Sequence, residues 1–407
     1  MKPHTPKNII VLCDGTANQA TVYTETNVVR IAEMLDKKDN IDSRQVLFYD
    51  PGLGTESTPG ALTYIGQSIT KFLGLAFGYG LAKNLADAYA FLMQNYEPGD
   101  RIYIFGFSRG AYTARALTGL LGRVGLLDRG CNSLIPYAIK YYREGNSYKL
   151  NLFKKRFSRT YALKWGEVIA EPQNDLIEKD SKGVIPVHFL GVWDTVKSIG
   201  LMRRKATLLD TDWLPNMING RHAVAIDEKR SQYQPELWHS DTDSDHKVRK
   251  EERKSNLQIC LHQDVKTLWF PGVHADVGGG YGLTANLEKE LIQIKVELKK
   301  IDWELLPKAR RDLDTVKVTK FEKLKKVFED RKKRIEQNLH IETALAYNSL
   351  EWMTEAAKKF GLLFEKEKKK DIKIENPKQH NPLKPFWWIL GWKTRPLPKD
   401  KGKIWTK

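Results

Sequence analysis

Residues 101–111, RIYIFGFSRGA, decide the fold of this chain: an apolar run ends in Gly106-Phe107-Ser108-Arg109-Gly110 and passes directly into YTARALTGLLGRV, residues 112–124. The run Arg101–Phe107 predicts a buried strand, and Leu117, Leu120, Leu121 and Val124 share one helical face, which predicts a helix over Ala111–Val124. The G-x-S-x-G pentapeptide therefore sits at a strand-to-helix join. Gly106 and Gly110 are needed there because strand and helix approach closely, while a strained turn lifts a serine hydroxyl above the sheet edge. The helix N-terminus adds a positive dipole end and the Arg109 amide beside the reacting oxygen. A tight glycine turn with a buried serine is the structural alternative.

Outward from this join the same pattern repeats. Asn8–Asp14, with its run IIVLC, reads as a strand that stops at the turn-like DGTAN, and Gln45–Asp50 (QVLFYD) stops at PGLGTES. Leu75–Tyr96 reads as a helix through Leu81, Leu85, Ala88 and Leu92. Val184–Val192 and Val265–Val273 read as strands ending before Trp193-Asp194-Thr195 and His274. Such alternation predicts an α/β fold with a mainly parallel sheet and helices on both faces. Leu201–Lys254 shows no periodicity. Within it His222 reads as the start of a helix, whereas His188 falls inside a strand.

A serine hydroxyl is a weak nucleophile at neutral pH, so the elbow calls for a histidine base and an acid that orients it. Asp194 and His274 each follow a predicted strand, in the order Ser, Asp, His expected when crossover connections bring such loops to one sheet edge. Of nine histidines, His274 is singled out by the glycines around it, which suit an exposed loop where backbone approaches a substrate. Asp276 is the rival acid, better suited to shaping the loop beside His274. A second oxyanion donor falls to Gly15 and Thr16, or else Asp14-Gly15-Thr16 is an ordinary turn capped by Asp14. Two other function classes stay open. VLCDGT is similar to an aspartate-phosphatase strand end but has Leu12 at the nucleophile position, which leaves a metal-dependent phosphoesterase built on Asp14, His274 and Asp276. The other is a non-catalytic lipid- or protein-binding module. The serine mechanism needs neither metal nor cofactor.

Charge and composition bound the rest. The 407 residues carry a formal net charge of +17. From Ala285 to Lys407 there are 31 Lys and Arg against 19 Asp and Glu, so most of the surplus lies in the last third. The expected partner of that third is an anionic membrane surface, because Phe321, Leu324 and Phe328, and the tail cluster Phe386, Trp387, Trp388, Ile389, Leu390 and Trp392, set apolar groups among the lysines; the alternative is a solvated basic face with the aromatic tail packed back over the domain. No nucleic-acid fold is visible. Cys13, Cys131 and Cys260 form neither a disulfide framework nor a zinc motif. With no export signal at MKPHTPKNII, synthesis in the cytoplasm without Sec export is expected, followed by peripheral membrane association or delivery by a non-Sec secretion system.

VLCDGTANQ (11–19), GFSRGAYTARALTGLLGRVGLL (106–127), FLGVWDTVKSIG (189–200), HAVAIDEKRSQYQPELW (222–238) and FPGVHADVGGGY (270–281) together resemble the catalytic domain of the type VI secretion phospholipase effectors, and SLEWMTEAAKKFGLLF (349–364) resumes the match. The resemblance implies an α/β-hydrolase fold, Ser108, Asp194 and His274 as a triad, and ester bonds of phospholipids or lysophospholipids as substrate. A cognate immunity or regulatory protein is a further implied partner. Leu283–Asn338 departs from the family spacing. Its sparse stripe of Phe321, Leu324, Phe328 and Ile335 in a basic helix predicts a lid, an interfacial helix or a packed arm. The expected organisation is a catalytic core over 1–282, a basic helical insertion over 283–338, a returning helix over 339–365 and a basic aromatic tail over 366–407.

Overall fold

The computed structural model describes residues 5–15, 25–36, 44–52, 79–159, 185–196, 211–212, 214–230, 233–238, 263–281 and 285–365. Thr16, Cys260, the first residues of the helix expected from Leu75, and the aromatic tail from residue 366 lie outside them.

Among the described residues six strands form one sheet, each pair parallel: β1 (Asn8–Cys13), β2 (Gln45–Asp50), β3 (Arg101–Phe107), β4 (Val187–Trp193), β5 (Met217–Ala225) and β6 (Asp264–Phe270), in the spatial order β2-β1-β3-β4-β5-β6. The reversal of strand order falls between β1 and β3. In an open parallel sheet that reversal opens a crevice beyond the carboxyl ends of the strands. In register, Cys13 lies beside Gly106, Phe107 beside Trp193, and Trp193 beside Ala223. The loops that follow β1, β3, β4 and β6 thus leave from the same edge, carrying Asp14, Ser108, Asp194 and His274.

Alternation along the strands supplies two cores. Ile9, Val11, Ile102, Ile104, Leu190 and Val192 face α2 (Tyr79–Asn95), α3 (Arg109–Arg123), α4 (Ile135–Glu144) and α5 (Ser147–Phe157). Ile10, Leu12, Tyr103, Phe105, Phe189 and Trp193 face the other way, against α1 (Asn27–Met34) and the C-terminal part of a long helix described below. Burial of apolar strand residues on both faces explains why β1 and β3 read as unbroken apolar runs.

β5 corrects the reading of its region. It was unreadable as a strand because Asn219, Arg221 and His222 interrupt it, yet all three are buried. Each is matched to a particular partner: Asn219 Nδ2 donates to His188 O (2.8 Å), Arg221 pairs with Asp264 (2.7 Å), and His222, inside the strand rather than at a helix start, meets the Thr195 amide at Nε2 (3.3 Å). Hydrogen bonds to neighbouring strands, invisible in one sequence, replace the apolar signal.

After β6 come α6 (His274–Gly278), α7 (Ala285–Lys300), a π-helical turn (Ile301–Leu305), α8 (Leu306–Arg311) and α9 (Thr315–Lys359). Asp314 caps α9 by accepting from the Lys317 amide at 2.9 Å. Arg331 meets Glu290, and Lys325 meets Asp302, so α7 and α9 run antiparallel as a hairpin. Leu291, Ile294 and Ile335 form its small core, with Phe328 packed against them. The boundary expected at Asn338 falls inside α9, one helix of 45 residues whose far part buries Leu350, Met353 and Ala357 in the second core. Among the described residues no helix is long and apolar enough to cross a membrane.

Candidate active site

Ser108 occupies the turn between β3 and α3 with φ 57° and ψ −122°, a conformation that costs energy in any residue with a side chain. Neighbouring contacts force it. A Cβ on Gly106 would lie 2.6 Å from Gly110 O, and one on Gly110 would run into the carbonyls of Cys13 and Asp14. Both glycines of the pentapeptide are therefore required by close approach, Gly106 to its own helix and Gly110 to the end of β1. The Ser108 peptide is also held from the β4 side: its amide donates to Trp193 O (3.1 Å) and its carbonyl accepts from the Val196 amide (3.4 Å). Arg109 opens α3, where first-turn amides lack a carbonyl of their own helix to bond. Its half-buried guanidinium has its pKa lowered by burial.

Asp194 follows β4 and is fully buried, with φ 37°. Its amide donates to Ala223 O (2.7 Å), and its Oδ1 accepts from the Ala225 amide (2.9 Å). The remaining oxygen, Oδ2, lies 2.6 Å from His274 Nδ1. One bond fixes the Asp194 main chain and the other fixes Oδ1, which leaves Oδ2 directed at the imidazole. His274 heads α6 and is 5% exposed. Its ring is stacked on Phe107 (centroids 4.7 Å apart) and meets Tyr233 edge-on at 4.8 Å. Its amide donates to Glu228 Oε2 (3.2 Å), a buried carboxylate gripped at both oxygens by Arg230. Burial pushes the Glu228 pKa up, but the Arg230 hydrogen bonds and charge outweigh it and hold the carboxyl below its usual range. Arg230 in turn lies over the Tyr233 ring at 3.8 Å. Among the described residues no hydrogen bond joins the Ser108 hydroxyl to the His274 ring.

The other residues singled out in the sequence take more local positions. Asp276 caps α6: its carboxylate accepts from the Val273 amide at 3.0 Å. Asp14 is a buried hub that accepts from the Gly15 amide (2.6 Å), Thr26 Oγ1 (2.7 Å) and Tyr49 OH (2.9 Å). The Gly15 amide therefore points at Asp14. Asp14, His274 and Asp276 are each committed to different partners, and among the described residues no group of three His, Cys, Asp or Glu side chains could hold a metal ion. Glu228, Arg230 and Tyr233, which frame His274, were not distinguished by sequence reasoning. Their only signal was membership of the segment HAVAIDEKRSQYQPELW.

Comparison with known proteins agrees with the resemblance read from the sequence. The family described as "T6SS, Phospholipase effector Tle1-like, catalytic domain" matches residues 7–298. An uncharacterized protein of Saccharomyces cerevisiae, YEL023C, is 32% identical over 244 residues, a match covering 56% of this chain and 32% of the relative. The match thus spans about a third of that relative's length. Among solved structures, the Tle1 effector bound to the VgrG spike of the type 6 secretion system aligns with TM-score 0.43 and 16% identity, covering 92% of this chain and 76% of that one. An uncharacterized protein from Pseudomonas aeruginosa aligns with TM-score 0.35 and 19% identity, over 68% of this chain and 42% of that one.

Proposed function

We propose that this chain, which belongs to the family of type VI secretion phospholipase effector Tle1-like catalytic domains, is a serine esterase of the α/β-hydrolase class acting on lipid carboxylesters. The observation that carries the reading is a coincidence at one sheet edge. A strained serine between two sterically required glycines leaves β3, and the neighbouring loops carry an aspartate and a histidine paired at 2.6 Å. In the reaction, Ser108 Oγ attacks the ester carbonyl as His274 Nε2 takes its proton. Asp194 holds Nδ1–H and so fixes the tautomer in which Nε2 is free to accept. The Arg109 amide, at the positive end of α3, stabilises the developing oxyanion. His274 then returns the proton to the leaving alcohol, and water activated by the same base releases the acyl group.

Phospholipid or lysophospholipid is the substrate class that family membership favours. Residues 1–282 with the far part of α9 and the segment that follows it to residue 365 form the catalytic unit. The basic arm 283–338 and the tail 366–407 serve as the contact surface for anionic membrane. Treatment with a fluorophosphonate probe followed by peptide mapping tests the chemistry: labelling of Ser108 is expected, and labelling elsewhere overturns the assignment. Assay on phospholipids, lysophospholipids and short nitrophenyl esters tests the substrate class. Turnover confined to soluble short esters would replace the lipase reading by a general esterase.

A further inference from the structure

Behind the acid turn lies a buried polar chain that the chemistry above does not use. Arg115, two turns along α3 from Ser108, is fully buried. Its guanidinium lies over the Trp238 ring at 3.8 Å, donates to Thr211 O at 3.3 Å and reaches His222 Nδ1 at 3.3 Å. On the opposite side of the same imidazole, Nε2 lies 3.3 Å from the Thr195 amide. Thr195 directly follows Asp194, and its carbonyl is held by the Glu236 amide at 2.8 Å. The next residue, Val196, donates to Ser108 O. The contacts therefore close a ring: Ser108, residues 194–196, His222, Arg115, and back along α3 to Ser108.

His222 meets hydrogen-bond donors on both sides, since neither a guanidinium nor an amide N–H can accept. Its place in the ring is that of an acceptor. Of the two donors, the Thr195 amide has the greater need. Arg115 already has Thr211 O and the Trp238 face, whereas a buried amide facing no acceptor is costly. Burial pushes the Arg115 pKa down to about 9.

We infer that His222 is a positioning residue, one that acts through Asp194 by holding the Thr195 amide and so fixing the left-handed turn that aims Asp194 Oδ2 at His274. This role rests on the esterase assignment above. It is separable from a purely structural role, because a strut for Asp194 has nothing to act on once Asp194 has lost its charge.

The test is a double-mutant cycle on a short nitrophenyl ester, with active sites titrated by the fluorophosphonate probe. His222→Phe keeps the ring volume without an acceptor, and is expected to lower kcat about 10- to 100-fold with KM within about twofold. His222→Gln, whose Oε1 stands in for Nε2, should recover most of that loss. In an Asp194→Asn background His222→Phe should change kcat less than about threefold. Equal fractional losses in both backgrounds, or a loss lying wholly in KM or in the titrated fraction, would overturn the role. If His222→Phe does not accumulate folded, His222→Asn, whose acceptor falls short of the Thr195 amide, takes its place in the cycle. Absence of turnover and of Ser108 labelling in the unsubstituted chain would overturn the esterase assignment and this role with it.

Discussion

At the carboxyl edge of the sheet the backbone leaves no room for choice, whereas the hairpin of α7 and α9 is held by little. Around Ser108 a single added methyl on Gly106 or Gly110 meets backbone atoms, and Asp194 is tied by two main-chain hydrogen bonds before it reaches His274. In the hairpin Leu291, Ile294 and Ile335 are buried, while Trp303 is 84% and Leu313 86% exposed. Its ion pairs, Arg331–Glu290 and Arg310–Glu322, sit in solvent, where such pairs add little stability. Atom-scale chemistry requires the first kind of construction; a surface that meets a soft or variable partner does not.

The largest effect that would break this contrast is chemical. Asp194→Asn should lower kcat for ester hydrolysis roughly 10²- to 10⁴-fold, through loss of the tautomer and of imidazolium stabilisation. Steady-state kinetics with titrated active sites measure it, and a loss below threefold would mean that the edge is not organised for this reaction. Next comes backbone fit. Gly110→Ala is expected to destabilise the chain by about 3 kcal/mol or more, because the added Cβ meets the Cys13 and Asp14 carbonyls and neither β1 nor α3 can shift freely. Chemical denaturation would reveal it as a lowered midpoint, and a midpoint like that of the unaltered chain would erase the distinction between the regions.

Ile335→Ala probes the other side. It should cost about 2–4 kcal/mol of hairpin stability, and hydrogen exchange should speed up in α7 and the first part of α9 while β1 and β3 stay protected. Uniformly faster exchange would show that the hairpin and the sheet unfold as one unit.

The smallest effect sharpens the comparison, because it finds a weakness inside the rigid edge. Burial, with the nearby Asp87 and Asp14 charges, pushes Asp50 up to about 6 despite a hydrogen bond from the Gly52 amide and the nearby Lys83. Between the unfolded carboxyl range and that value the folded state binds more protons, so this group's contribution to stability falls as pH rises from about 4 through 6. Asp50→Asn should therefore raise stability at pH 7.5 by about 1–3 kcal/mol and leave it nearly unchanged at pH 4. Melting curves at the two values check the sign, and equal shifts at both would remove the titration as the cause.

Sequence reasoning recovered the parts of the fold that announce themselves by period. β2 and β3 have the bounds read from QVLFYD and RIYIFGF, and β1 differs by one residue. The ends of β1 to β4 could be read to within one residue, and with them the residues that leave the sheet on one side, because apolar runs and glycines punctuate this part of the chain; β6, expected to run through Val273, stops at Phe270 ahead of the left-handed turn at Gly272. β5 escaped because its buried positions are polar, and a buried histidine or arginine looks like a surface residue until its partner is known. The surroundings of His274 escaped for a related reason: Glu228 and Arg230 form a pair two residues apart in a segment without periodicity, and only the fold brings the Glu228 carboxylate to the His274 amide. The continuity of α9 across Asn338 was missed because the surface it packs against changes there from α7 to the sheet, and its side-chain pattern changes with it.

That continuity makes the hairpin's orientation a matter of phase. α9 belongs to the hairpin at Ile335 and to the sheet at Leu350, with uninterrupted helix between them. Removing one residue from that stretch turns everything before it by about 100° around the helix axis and draws it in by about 1.5 Å. Removing seven, close to two whole turns, returns it to within about 20° of its starting direction at a shorter reach. The arm's bearing relative to the sheet is thus written in the number of residues between two packing sites, and length variation there acts as a dial with preferred settings rather than as slack.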